Sequence, residues 1–86
     1  MWRYIHMSIL IFTAKECPTC HEITAGLTRR QIPFEERDLA VPENIVYLRC
    51  DAGVFSLCAP IIYDDGRWIA GDDAAAISEF RKRHQI

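Results

Sequence analysis

Residues 7–20 read Met7-Ser8-Ile9-Leu10-Ile11-Phe12-Thr13-Ala14-Lys15-Glu16-Cys17-Pro18-Thr19-Cys20, and this stretch decides the fold. Met7 to Phe12 is a continuous apolar run with β-branched residues, the pattern of a strand covered on both faces. Pro18 suits the first turn of a helix, where its missing N–H leaves no bond unmade. Cys20, Ile23 and Leu27 then fall on one helical stripe, Arg29 and Arg30 complement the negative end of the dipole, and Pro33 prevents continuation. A Cys-x-x-Cys pair thus stands where a buried strand gives way to a helix.

Farther along, Phe34 to Leu39 reads as a short second strand whose charged centre, Glu35-Glu36-Arg37-Asp38, suits an exposed sheet edge. Pro42-Glu43 opens a second helix through about Asp51, with Ile45, Val46 and Leu48 periodic and Gly53 as its stop, although Val46-Tyr47 fits a strand equally well. Ile61-Ile62-Tyr63, Asp64-Asp65-Gly66 and Arg67-Trp68-Ile69-Ala70 form a hairpin signature of strand, Asp-Gly turn and strand, with Trp68 covering the sheet. Gly71-Asp72-Asp73 supplies turn and cap for a last helix from Ala74 to about His84. Ala76, Ile77 and Phe80 face inward on it, and Arg81-Lys82-Arg83 read as a solvated helix end.

The element order is therefore β-α-β-α-β-β-α. A right-handed crossover makes the first two strands parallel, and the hairpin adds two antiparallel ones. The expectation is an α/β chain with a four-stranded mixed sheet and helices on both faces, which resembles a minimal thioredoxin fold. Residues 7–86 make a single domain, with residues 1–6 an N-terminal arm or an extension of the first strand.

Composition agrees with one small globular domain. The 86 residues are 50% hydrophobic and 26% charged, which argues against disorder. Ten Lys and Arg against twelve Asp and Glu, a net charge of −2, remove the simplest case for a nucleic-acid or anionic-membrane binder. No apolar run approaches the ~18 residues of a membrane span. Met1 to Phe12 carries one Arg, no long apolar segment and no small-residue cleavage site, so a reducing, cytoplasmic location is expected. There, close cysteine pairs are more often catalytic or metal-binding than structural.

At a helix start, the Cys17 sulfur faces unpaired backbone N–H groups and the positive end of the dipole. Both favour thiolate and lower its pKa from the free value of ~8.5. Lys15 adds positive charge nearby, His21 does so when protonated, and Glu16 opposes them. Cys20, almost one turn on, lies on the same face, deeper but within reach of Cys17. It is placed to resolve a mixed disulfide after Cys17 has attacked.

The chain resembles the glutaredoxin family in Ile9-Leu10-Ile11-Phe12 leading into Cys17-Pro18-Thr19-Cys20, in Cys58-Ala59-Pro60-Ile61-Ile62, and in Ala70-Gly71-Asp72-Asp73. These segments agree in order and spacing over about residues 7–82. The resemblance implies Cys17 and Cys20 as catalytic cysteines and a cis peptide bond at Ala59-Pro60 facing them. It implies that the Ala59 backbone pairs with an extended substrate or glutathione. Gly71, Asp72 and Asp73 would bind a carboxylate at a helix N-terminus, with Lys15 matching the family's upstream lysine. The implied activity is thiol–disulfide oxidoreduction on protein disulfides or glutathione mixed disulfides, by a monomer with no bound cofactor or metal. The family commonly has Thr-Val-Pro where this chain has Cys58-Ala59-Pro60, a second glycine at Ala70, an aromatic residue at Thr19 and a lysine one residue farther from the first cysteine. These departures leave glutathione and a flavoprotein thioredoxin reductase both open as electron donor.

Other readings of the cysteines stand beside this one. Cys17, Cys20 and Cys58, with His21 or Cys50, are candidate thiolate-rich ligands for zinc or an iron–sulfur cluster. Cys58 is a candidate third redox thiol, or a small residue packed in the core. Cys50, near a helix end, reads as a packing residue, and His21 as a helix-surface residue rather than a general base.

Overall fold

The computed structural model describes residues 9–86. The reading of Trp2 to His6, and of Met7 and Ser8 as the start of the first strand, lies outside the described residues. In chain order the elements are β1 (Ile9–Thr13), α1 (Pro18–Arg29), β2 (Glu35–Asp38), α2 (Pro42–Val46), β3 (Ile61–Asp64), β4 (Arg67–Ile69) and α3 (Ala74–His84), with a π turn, Tyr47–Ala52, continuing α2. The sheet order is β2-β1-β3-β4. β1 pairs in parallel with β2, Leu10 opposite Glu35, and antiparallel with β3, Ile11 opposite Ile62. The charged strand β2 therefore takes an edge, where its polar side chains stay hydrated.

Side-chain alternation along β1 builds two cores. Ile9 and Ile11 point to the face covered by α1 and α3, where they pack with Ile23, Leu27, Ile62, Ile69, Ile77 and Phe80. Phe12 points the other way and packs with Leu48 and Ile61, while Leu10, Tyr47 and Trp68 close over them. Trp68 thus covers the sheet, its ring 6.1 Å from that of Phe12 and 5.0 Å from that of Tyr63. Burying both faces of β1 explains why its sequence is a run rather than an alternation.

The hairpin turn is the one its Asp-Gly signal predicts. Asp65 and Gly66 have φ of 50° and 88°, the doubly left-handed conformation of a type I′ turn. The second helix differs from expectation in its last part: after Val46 it widens into a π turn, ended by Gly53 at φ 72° with the Val54 N–H donating to the Leu48 carbonyl. Among the described residues, no helix is long and apolar enough to cross a membrane.

Candidate active site

Strand polarity gathers the notable residues at one end of the sheet. β1 leaves its C-terminal end through Ala14-Lys15-Glu16 into Cys17. Because Phe12 pairs with Ile61, the chain entering β3 through Ala59-Pro60 lies beside that exit. β4 runs antiparallel to β3, with Ile69 opposite Ile62, so Ala70-Gly71 emerges at the same end. The Gly71 N–H donates to the Cys58 carbonyl at 2.8 Å, tying two of the three loops together.

Cys17 is the N-cap of α1, with extended backbone (φ −123°, ψ 98°) and Pro18 next to it. Its sulfur accepts a hydrogen bond from the Cys20 backbone N–H at 3.1 Å, satisfying one of the donors that a helix start leaves unpaired. Cys17 and Cys20 form a disulfide across a Cα–Cα distance of 5.2 Å. Cys20 is 1% exposed and Cys17 half-buried. The pair is therefore asymmetric as the spacing predicts, one sulfur reachable from solvent and its partner beneath it.

Lys15 is exposed beside a polar cavity of about 300 Å³ that also involves His21, Glu36 and Asp38. His21 donates through Nε2 to the Lys15 carbonyl at 2.9 Å, because a carbonyl can only accept. His21 is an exposed helix residue that ties the loop before Cys17 to α1.

The Ala59–Pro60 peptide is cis, and Pro60 is fully buried at the foot of β3. Gly71 has no room for a side chain: a Cβ there would overlap the Ala59 and Cys58 carbonyls. Asp72 is exposed. Asp73 is the N-cap of α3, its carboxylate accepting from the Ala76 N–H at 3.1 Å.

Three expectations need correction. Cys58 is exposed rather than packed in the core. Its loop is anchored by backbone, its carbonyl accepting from Gly71 and its N–H donating to Ser56 Oγ, so the side chain is left outside. Cys50 is exposed too. Leu48 is the buried residue of the π turn, and a position two residues on falls on the opposite side of the axis. Arg81 and Arg83 are not merely solvated: Arg81 pairs with Glu22 of α1 at 3.2 Å, and Arg83 with Asp64 at the end of β3. Among the described residues, no three His, Cys, Asp or Glu side chains come together as a metal site.

One feature of the site escaped the sequence reading. Phe55 is 72% and Leu57 46% exposed, in the loop that runs into Cys58-Ala59-Pro60. Leu57 also lines an apolar hollow of about 390 Å³ with Ala14, Leu39 and Ile45, on the side of the active-site loop. Two large apolar residues in a segment with neither helix nor strand periodicity were the available signal.

No protein-family model matches the sequence, and a search of curated proteins gives no match. Solved structures do match. The crystal structure of the thioredoxin-like protein BC3987 is similar with a TM-score of 0.63 at 24% identity, covering 83% of this chain and 96% of that one. A point mutant of the same protein gives 0.64 at 22% identity, covering 83% and 95%. The fold is thioredoxin-like, and it carries a Cys-x-x-Cys disulfide at the start of its first helix.

Proposed function

We propose that this chain is a thiol–disulfide oxidoreductase acting on protein disulfides, with Cys17 as nucleophile and Cys20 as resolving thiol. The observation that carries the reading is the Cys17 sulfur at the N-cap of α1, accepting the Cys20 N–H at 3.1 Å above a buried Cys20. A donor aimed at sulfur stabilises the thiolate more than the thiol. It also stabilises Cys17 as the sulfur expelled when the enzyme is reduced again, since a lower-pKa thiol leaves faster.

In the reduced enzyme, the Cys17 thiolate attacks one sulfur of a substrate disulfide. A Cys17–substrate bond forms, the substrate S–S bond breaks, and the departing thiolate takes a proton from solvent. Cys20 then loses its proton and attacks the Cys17 sulfur, releasing the second substrate thiol. Two electrons have moved to substrate and the Cys17–Cys20 disulfide remains. Two glutathione thiols, or the dithiol of a flavoprotein reductase, return it to the reduced state. The exposed Phe55 and Leu57, in the loop that leads into Ala59-Pro60, favour a polypeptide substrate, because they offer it apolar contact on that loop. In this reading the Ala59 backbone pairs with the extended substrate, Lys15 supplies positive charge at the site, and the protein works as a monomer in a reducing compartment.

The test is a paired reduction assay, glutathione with its reductase against thioredoxin reductase, on insulin as disulfide substrate. Turnover with either donor, abolished by Cys17→Ser, is the expected result. Cys20→Ser should accumulate a substrate adduct on Cys17 visible by intact mass. Absence of turnover with both donors, together with no adduct, refutes the proposal.

A further inference from the structure

A groove of about 620 Å³ runs down the flank of α3, away from the cysteines. Its upper end is formed by Thr19, which lies between Cys17 and Cys20 in the chain, and by Gly71, which is bonded to the Cys58 carbonyl. Ala74, Ile77 and Ser78 line its middle, and Arg81 and Lys82 its lower part. Small residues at 71, 74 and 78 keep it open, and Ile77 gives it an apolar floor. Gln85 and Ile86 close the far end, where Gln85 accepts from Arg30 at 2.8 Å.

The charge of this groove is one-sided. The chain carries a net charge of −2, yet no Asp or Glu side chain is among the described residues lining the groove, while an Arg and a Lys are. Arg81 is occupied by Glu22 and by the Ile86 carbonyl. Lys82 is exposed and makes no ion pair among the described residues. It is therefore the cation left for a ligand.

We propose that this groove binds the segment of a disulfide-containing protein that flanks its reacting cysteine, and that Lys82 selects a carboxylate on that segment. The inference rests on the oxidoreductase reading and adds a substrate preference to it. Geometry sets the spacing: from Ala74 to Lys82 the helix rises ~12 Å at 1.5 Å per residue. An extended chain covers that distance in about three or four residues at ~3.3 Å each. Because the groove begins past the cysteines, the preferred substrate carries its Asp or Glu at least three or four positions from its own cysteine.

The test uses the full chain and three disulfide-bonded peptides that differ only at that position, carrying Glu, Gln or Lys. Rates are compared with that for a small disulfide, hydroxyethyl disulfide, reduced by the same protein. An exposed ion pair predicts kcat/KM for the Glu peptide about two- to fivefold above that for the Gln peptide. The advantage should shrink as salt rises from about 0.05 M to about 0.5 M, since exposed pairs are screened. In Lys82→Glu the order should invert, the Lys peptide becoming the fastest, and in Lys82→Gln the three rates should converge. Equal rates in the wild-type chain, or a Glu preference that survives Lys82→Glu, overturn the inference while hydroxyethyl disulfide turnover leaves the oxidoreductase reading intact. If the wild-type chain reduces neither the peptides nor hydroxyethyl disulfide, both readings fall.

Discussion

Gly71 and Cys58 meet backbone to backbone: the Gly71 N–H donates to the Cys58 carbonyl at 2.8 Å, and a Cβ at residue 71 would overlap that carbonyl and its neighbour at Ala59. The requirement is for space, since the obstruction is main chain that cannot rotate aside. Gly71→Ala should displace the Ala59-Pro60 loop, lowering stability by about 1–3 kcal/mol and slowing disulfide reduction. Asp72→Ala, one residue on at an exposed position, should stay within about 0.5 kcal/mol of the parent. Urea unfolding midpoints decide it: equal midpoints for the parent and Gly71→Ala contradict the packing described.

The N-cap geometry predicts an acidic, nucleophilic Cys17 in the reduced protein. The Cys20 N–H and the start of α1 both stabilise sulfur as an anion, so the pH midpoint for alkylation of Cys17 by iodoacetamide should lie below the ~8.5 of a free thiol. Cys20, 1% exposed, should react far more slowly over the same range. A Cys17 midpoint at or above that of free cysteine would remove the physical basis of the mechanism.

The fold was legible because its signals are local and mutually consistent. An apolar run at β1, Pro18 at a helix start, Asp65-Gly66 in a two-residue turn and Asp73 before an alanine-rich helix each point to one element, and together to one topology. The positions of Cys17 and Cys20 followed from that topology. What stayed hidden depends on contacts between distant segments. Arg81 with Glu22 and Arg83 with Asp64 join residues 59 and 19 positions apart, and no periodicity marks such pairs. The side-chain directions of Cys50 and Cys58 were missed for a related reason. A π turn and an aperiodic loop break the regular spacing from which facing is inferred, and the Cys58 loop is held by its main chain, which any residue provides.

Asp64 is the buried carboxylate of this structure's lower end, 4% exposed and in contact with Arg83 and His84 of α3. It fastens the end of α3 to β3. Asp64→Asn keeps the shape and removes the charge, leaving Arg83 and His84 partly exposed and able to hydrate. Because the partners retain access to water, the loss should be about 1–2 kcal/mol rather than the 3–5 of a fully buried pair. Arg83→Ala in the Asp64→Asn background should add little beyond either change alone, a coupling that a double-mutant cycle by urea unfolding measures. Strict additivity would show that the two side chains do not act together.

Asp73 is where a structural and a ligand-binding role can be separated. Its carboxylate accepts the Ala76 N–H at 3.1 Å, so as a cap it needs only an oxygen acceptor, which Asn also supplies. Asp73→Ala should cost about 1 kcal/mol, and Asp73→Asn only a few tenths. A pure cap therefore predicts that Asp73→Asn reduces disulfides at the parent rate with every electron donor. If Asp73 also belongs to a glutathione site at this helix start, Asp73→Asn should change the KM for glutathione while thermal stability and turnover with thioredoxin reductase stay at parent values. Measuring KM with both donors beside the melting temperature tells the two apart, because a fault in the cap would lower the melting temperature and affect both donors alike.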